Sequence, residues 1–147
     1  MSYNDIYAAI AARIALIEIA DPEVIAAGSV KAYLDPVEQL QDTPCFVIFS
    51  PSIPDIERGA GSRSVMLDFM QQCFVQNEDK DRAHDIAKRL QEATVDIFDG
   101  DVVLGAVSPL IGQRLTAVTG LQYGGRQYIG FENHLITRSV EARNFTA

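Results

Sequence analysis

Between Val65 and Phe98 the hydrophobic period changes from two residues to about 3.6, the signature of a strand running directly into an amphipathic helix. Val65, Leu67, Phe69, Cys73 and Val75 fall on one side of an extended chain, with Met66, Asp68 and Gln72 on the other. That pattern predicts a long strand with one buried face. From Asp79 to Phe98 the apolar residues Ala83, Ile86, Ala87, Leu90, Ala93 and Ile97 form a helical stripe, which must be buried against something. Acidic residues fill the first turn of this helix and Lys88 and Arg89 come later, the order the helix dipole favours. Asp85 stands one turn before Arg89, a stabilising spacing.

The flanking segments supply the rest of a sheet. Cys45 to Phe49 is a continuous apolar run between Pro44 and Pro51, which predicts a strand covered on both faces. Ser52 to Ser64, with Pro54, Gly59 and Gly61, reads as a long connecting loop, a length at which loops carry function. A first helix is predicted from Asn4 to about Ala20, with Ile6, Ile10, Ile14 and Ile17 at helical spacing. Leu16 and Ile19 widen its stripe, so this helix is expected to touch two surfaces, one of them another subunit. Asp21-Pro22-Glu23 opens a short helical turn over Val24–Ala27, ended by Gly28.

Short strands are predicted over Val30–Leu34, Val102–Val107 and Leu115–Tyr123. Gly124-Gly125 is a hairpin turn with a return strand from Arg126 to about Thr137. The expected class is α+β: a mainly antiparallel sheet of about four to five strands, with two principal helices packed on it. Residues 1–138 are read as one domain, and 139–147 as a polar tail with a single Phe145, ordered only on assembly.

Composition narrows the function. The chain has 147 residues, 12 of them basic and 20 acidic, for a net charge of −8. Its three lysines, Lys31, Lys80 and Lys88, and its arginines are scattered, which argues against specific nucleic-acid binding. The apolar stretch Ile6–Ala20 carries Arg13 and Glu18 and is too short to span a bilayer. The first residues lack the basic start of a signal peptide, so a cytoplasmic site of synthesis is expected.

Sites of chemistry are sparse. Cys45 and Cys73 lie in strand-like surroundings and are read as buried free thiols; with two separated histidines they make no metal-ligand spacing. No cofactor or metal is expected. Arg58-Gly59-Ala60-Gly61-Ser62-Arg63 is glycine-rich but opens onto a strand, whereas a phosphate loop opens onto a helix. His84 and His134 stand without a convergent nucleophile in the sequence. The acidic residues at 79, 81, 85, 96, 99 and 101 read as a solvated helix face and turn residues. An enzyme is therefore not expected. The candidate functional positions are the loop residues Ile53, Asp55, Ile56, Arg58 and Arg63, the first-helix residues Arg13 and Leu16, and Phe145 in the tail.

The order of elements carries a resemblance. An N-terminal helix, an apolar strand ending at Phe49-Ser50-Pro51, and a long loop lead into a long strand. The charged helix Asp79–Phe98 follows, and a Gly-Gly hairpin with Tyr128 and Phe131 closes the set. Over Tyr3 to Arg138 this resembles the tail terminator and tail-completion (neck) proteins of long-tailed bacteriophages. It departs from them in a longer C-terminal tail and in the extended segment Asp21–Thr43.

The resemblance implies a virion protein at the head-proximal end of the tail, made in the host cytoplasm. Such a subunit forms a ring, hexameric in this family, that caps the tail tube and stops its polymerisation. Its implied partners are copies of itself, the tail tube protein, the head–tail connector or neck proteins, and the sheath protein. The genome would pass through without specific binding, and no membrane is involved. Another neck, tail or sheath-associated subunit remains open as an alternative, as does a small-molecule-binding α+β domain.

Overall fold

The structure is a computed structural model and describes residues 3–20, 25–40, 43–99 and 110–142. Its elements, in chain order, are α1 (Tyr3–Ile14), β1 (Lys31–Leu34), β2 (Cys45–Ile48), β3 (Ser52–Gly59), β4 (Ser62–Gln76), α2 (Lys80–Asp99), β5 (Leu110–Leu115), β6 (Thr119–Tyr123) and β7 (Arg126–Ala142). Seven strands form one mixed sheet in the order β1-β2-β4-β7-β5, with β3 added to β4 and β6 to β7. β1 and β2 are parallel, and every other pairing is antiparallel. Among the described residues, no helix is long and apolar enough to cross a membrane.

The expected sheet of four to five strands is therefore wrong: the described residues are mostly sheet, and they form seven strands. Two misread segments account for the difference. Ser52–Ser64 is not a loop. It folds back on β4 as a hairpin closed between Gly59 and Ser62. Gly61 takes φ 78, the value required at the third residue of a type II turn, which glycine alone adopts without strain. The segment after Pro109 makes two strands, β5 and β6, which lie one after the other along β7. The strand expected over Val102–Val107 and the tail residue Phe145 lie outside the described residues.

α1 is also shorter than its periodicity suggests. It stops at Ile14, and the amides of Leu16 and Ile17 donate to the carbonyls of Arg13 and Ile14, each at 3.0 Å. Gly28 N–H donates to Ala15 C=O at 2.7 Å, tying down a carbonyl the helix leaves free. Ile19 and Ile25 exchange backbone bonds at 2.9 and 2.8 Å, so the helical turn expected at 24–27 gives way at Ile25 to an isolated bridge.

The central pair is β4 and β7, in continuous register from Ser62↔Ala142 to Gln76↔Tyr128. Val65, Leu67, Phe69, Cys73 and Val75 of β4 are buried with Ile129, Phe131 and Leu135 of β7, and α1 and α2 bring Ile6, Ile10, Ile14, Ala83, Ala87, Leu90 and Phe98 onto them. Asp79 caps α2: its carboxylate accepts the Arg82 amide at 3.3 Å and its carbonyl accepts Ala83 N–H at 2.8 Å. Full burial of a side chain such as Leu90 stabilises this layer by about 1.5–3 kcal/mol.

The opposite face is divided. Towards β6 it holds a second, smaller cluster of Leu40, Cys45, Val47, Phe74 and Tyr128, with Tyr123 and Val37 beside it. Phe74 meets Tyr123 and Tyr128 edge-on at 5.2 and 5.5 Å, a favourable ring geometry. The Tyr123 hydroxyl donates to Val37 C=O and pins the segment after β1 over this cluster. Gly124 and Gly125 take φ 57 and 80, the two positive values a tight hairpin turn needs.

Candidate assembly surface

β3 is exposed at every one of its eight positions. It pairs with the first half of β4, and the last residues of β7 pair with the same stretch on the other side. Together they make a three-stranded arm at one end of the sheet. A lone hairpin is marginal in water, and the third strand is what makes such an arm a lasting feature. On it the structure gathers five of the predicted positions. Ile53 and Ile56 are 47 % and 42 % exposed, Asp55 and Arg58 are exposed, and Arg63 is half-buried. Arg58 stands opposite Arg63, Ile56 opposite Val65 and Asp55 opposite Met66.

Arg13 and Leu16 are elsewhere. They close α1, which packs against β1 and α2. Leu16 is 55 % exposed and Leu34 of β1 is 51 % exposed, so the α1–β1 side has apolar groups of its own. β7 runs to Ala142, past the Arg138 at which the sequence ends the domain.

Next to the arm, the face of the sheet away from the helices is polar. His134 Nδ1 lies 3.0 and 3.2 Å from the two carboxylate oxygens of Asp68, and its Nε2 lies 4.0 Å from Glu132. Gln72 donates to Glu132 at 2.9 Å. Arg138 donates to Ser64 at 3.2 Å and lies 3.7 Å from Glu57 of β3, tying the arm together across β4. All but Glu57 are half-buried on a flat surface, where charged pairs hold position more than they add stability. This set was not foreseen. Alternation does put Asp68, Gln72, Glu132 and His134 on the solvent side of their strands, but only the register of β4 with β7 makes them neighbours.

On the helix side a second polar set is enclosed except at Gln113, which is half-buried. Asn133 Nδ2 donates to Gln71 Oε1 at 2.6 Å, and Gln113 Nε2 donates to Asn133 Oδ1 at 2.9 Å. Thr94 Oγ1 donates to Leu90 C=O at 2.7 Å. Buried amides in such a chain fix the register of the strands they join, since a slipped pairing leaves them unsatisfied.

Cys45 and Cys73 are both buried thiols, not joined to each other. Their register partners, Phe74 and Phe46, place them on opposite faces of the sheet, where no bridge can close. Burial, with Cys45 nearby as a smaller cause, pushes the Cys73 thiol well above its ordinary pKa, so it stays protonated and unreactive. Among the described residues no group of three or more His, Cys, Asp or Glu side chains could hold a metal ion. His84 lines a cavity of about 400 Å³ with Lys80, Asn77, Gln127 and Tyr128.

No known family model matches this chain, and no curated protein matches it.

Proposed function

We propose that this protein is a structural subunit of a phage virion, of the tail terminator or neck type. It assembles as a hexameric ring at the head-proximal end of the tail, caps the tail tube, stops its polymerisation and presents a surface to the head–tail connector. The observation that carries this reading is the arm. A strand exposed at all eight positions, with Ile53 and Ile56 half-exposed, is an edge another chain can pair with, and its proline, its three charges and the bulge between Ser52 and Asp55 guard it against unspecific partners. The arm and the α1–β1 side are different surfaces on one subunit, and a cyclic assembly is built by joining unlike surfaces head to tail. The family is proposed from the resemblance in element order between Tyr3 and Arg138, in which the expected loop at 52–64 is a strand hairpin.

The ring's neighbours on this reading are the tail tube protein, the neck or connector proteins and, in a contractile tail, the sheath protein. The net charge of −8 suits a channel that passes DNA without holding it, because acidic groups repel phosphates.

Negative-stain imaging and native mass measurement of the purified protein test the proposal. Six-fold rings are expected, and adding the protein to growing tail tubes should halt their elongation. A protein that stays monomeric at high concentration and in the presence of tubes overturns it.

A further inference from the structure

We propose that the hollow between the first two turns of α2 and the β6–β7 hairpin binds a small organic carboxylate, an acid group carried on a compact apolar body. It lies at the opposite end of β7 from the arm, so its failure would leave the ring reading standing.

The hollow exists because of one missing side chain. Gly120 pairs with Ile129, and Gln122 with Gln127, across the hairpin. Ile129 belongs to the core that Ala83 and Ala87 of α2 share, so these four hairpin positions lie on the helix side of the sheet. Ile129 is buried, yet a Cβ on its partner Gly120 would meet nothing within 4 Å. Lys80 and His84 of α2 close the other side, and the space between is a cavity of about 400 Å³. Small-molecule sites have volumes of about 300–1,000 Å³.

The lining divides into a floor and a rim. Ile129 and the half-buried Val118 supply an apolar floor. Lys80 and His84, one turn apart on the same face of the helix, stand on one side of the rim, and the amides of Gln122 and Gln127 on the other. All four rim side chains carry N–H donors. None of them has a hydrogen-bond or ion-pair partner among the described residues.

Charge selects the ligand. Acidic residues outnumber basic ones by 20 to 12 in the chain, but none lines this cavity. Those nearest in sequence are engaged elsewhere. Glu78 accepts from Gln76 Nε2 at 2.7 Å and Asp79 from the Arg82 amide at 3.3 Å, and both line a separate hollow with Pro44 and Ile86. Asp81 and Asp85 each follow a rim residue by one position, about 100° round the helix. A cation in the cavity would therefore meet no counter-charge.

Lys80, the one fixed positive charge, matches the single negative charge of a carboxylate, and the positive end of the α2 dipole adds to it. His84 and the two amides donate to the carboxylate oxygens. A phosphate dianion fits less well, because it brings two charges to one lysine and Asp79 already takes an amide of the helix start. The apolar body of the ligand fills the gap that Gly120 leaves above the floor.

Benzoate is the probe, with benzylamine and inorganic phosphate as its counterparts in shape and in charge. Saturation-transfer NMR and calorimetric titration of the full chain should show benzoate binding saturably, with a dissociation constant on the order of 1 mM, as befits a fragment. Neither counterpart should displace it at equal concentration. Gly120→Phe, which fills the hollow, should abolish binding, and Lys80→Met should weaken it about tenfold. Lys88→Met removes the same charge about two turns further along α2, outside the cavity, and should bind as the parent does. Lys80 is exposed, so Lys80→Met keeps the test open even where thermal melts show that the phenylalanine variant does not fold. No saturable benzoate binding up to about 10 mM overturns the inference. So does binding that persists in a folded Gly120→Phe or is unchanged in Lys80→Met, and so does benzylamine or phosphate binding as well as benzoate.

Discussion

Gln71 and Asn133 are directly opposed in the β4–β7 ladder and are both fully buried, which makes their contribution measurable as a coupling. Asn133 Nδ2 donates to Gln71 Oε1 at 2.6 Å, and Gln71 Nε2 is separately occupied by Phe69 C=O at 2.7 Å. Asn133→Leu leaves Gln71 Oε1 without its donor in a site closed to water, a loss of about 1–3 kcal/mol. Gln113 also loses its acceptor on Asn133. It is half-buried and keeps a longer contact to Thr94 C=O at 3.4 Å, so its share is about 0.5–1 kcal/mol. Gln71→Met strands the Asn133 amide in the same way and costs about 1–3 kcal/mol. The double variant removes donor and acceptor together, and should be no less stable than the worse single variant, a favourable coupling of about 1–3 kcal/mol. Urea unfolding of all four proteins at one protein concentration reads this out, with equal denaturant slopes as the check that the unfolded states match. If the two losses add within about 0.5 kcal/mol, the pair is not coupled, and the claim that buried amides hold the β4–β7 register fails.

Two further outcomes follow from the same geometry. A Cβ on Gly130 would collide with the backbone carbonyl of Cys73 and press on Leu121 Cδ1 at 3.2 Å, whereas one on Gly120 would meet nothing within 4 Å. Gly130→Ala should therefore cost about 1–3 kcal/mol or more and Gly120→Ala should stay within about 0.5 kcal/mol; thermal melts of the two side by side decide it. Burial raises the pKa of the Cys73 thiol well above its ordinary value, so the folded state holds a proton that the unfolded state releases. Its contribution is intact below the ordinary thiol pKa. Stability should fall by up to about 1.4 kcal/mol per pH unit above it, and Cys73→Ala should remove that part of the slope in denaturation curves recorded from pH 8 to 10.

Legibility followed how local each signal is. β4 and α2 stood out because each has a strong period of its own, and Asp79 at the helix start and Gly124-Gly125 at the hairpin are chemical signals confined to a few residues. β3 did not stand out. Its sequence, SIPDIERG, contains a proline, three charges and a terminal glycine, and it has no buried face to impose alternation. It is a strand because β4 offers it a paired edge, which is a tertiary cause. The early end of α1 has the same kind of origin: Ile17 and Ile19 keep helical spacing, but Ile19 takes its backbone partner from Ile25.

The segment 52–64 was readable as exposed and unreadable in form. Its residues were singled out as an exposed loop between two strands, and exposure was the correct part of that reading. A loop and an edge strand, however, recognise partners differently. A loop binds through its side chains, while an edge strand binds through its backbone and uses side chains to choose the register. That distinction sets what mutation can show. If β3 pairs with a partner through its backbone, substituting Ile53 or Arg58 alone would only trim contacts around the ladder. In the proposed ring the exposed strand and the −8 charge would act against each other: net repulsion would keep free subunits apart in solution, so only a specific strand contact would bring them together.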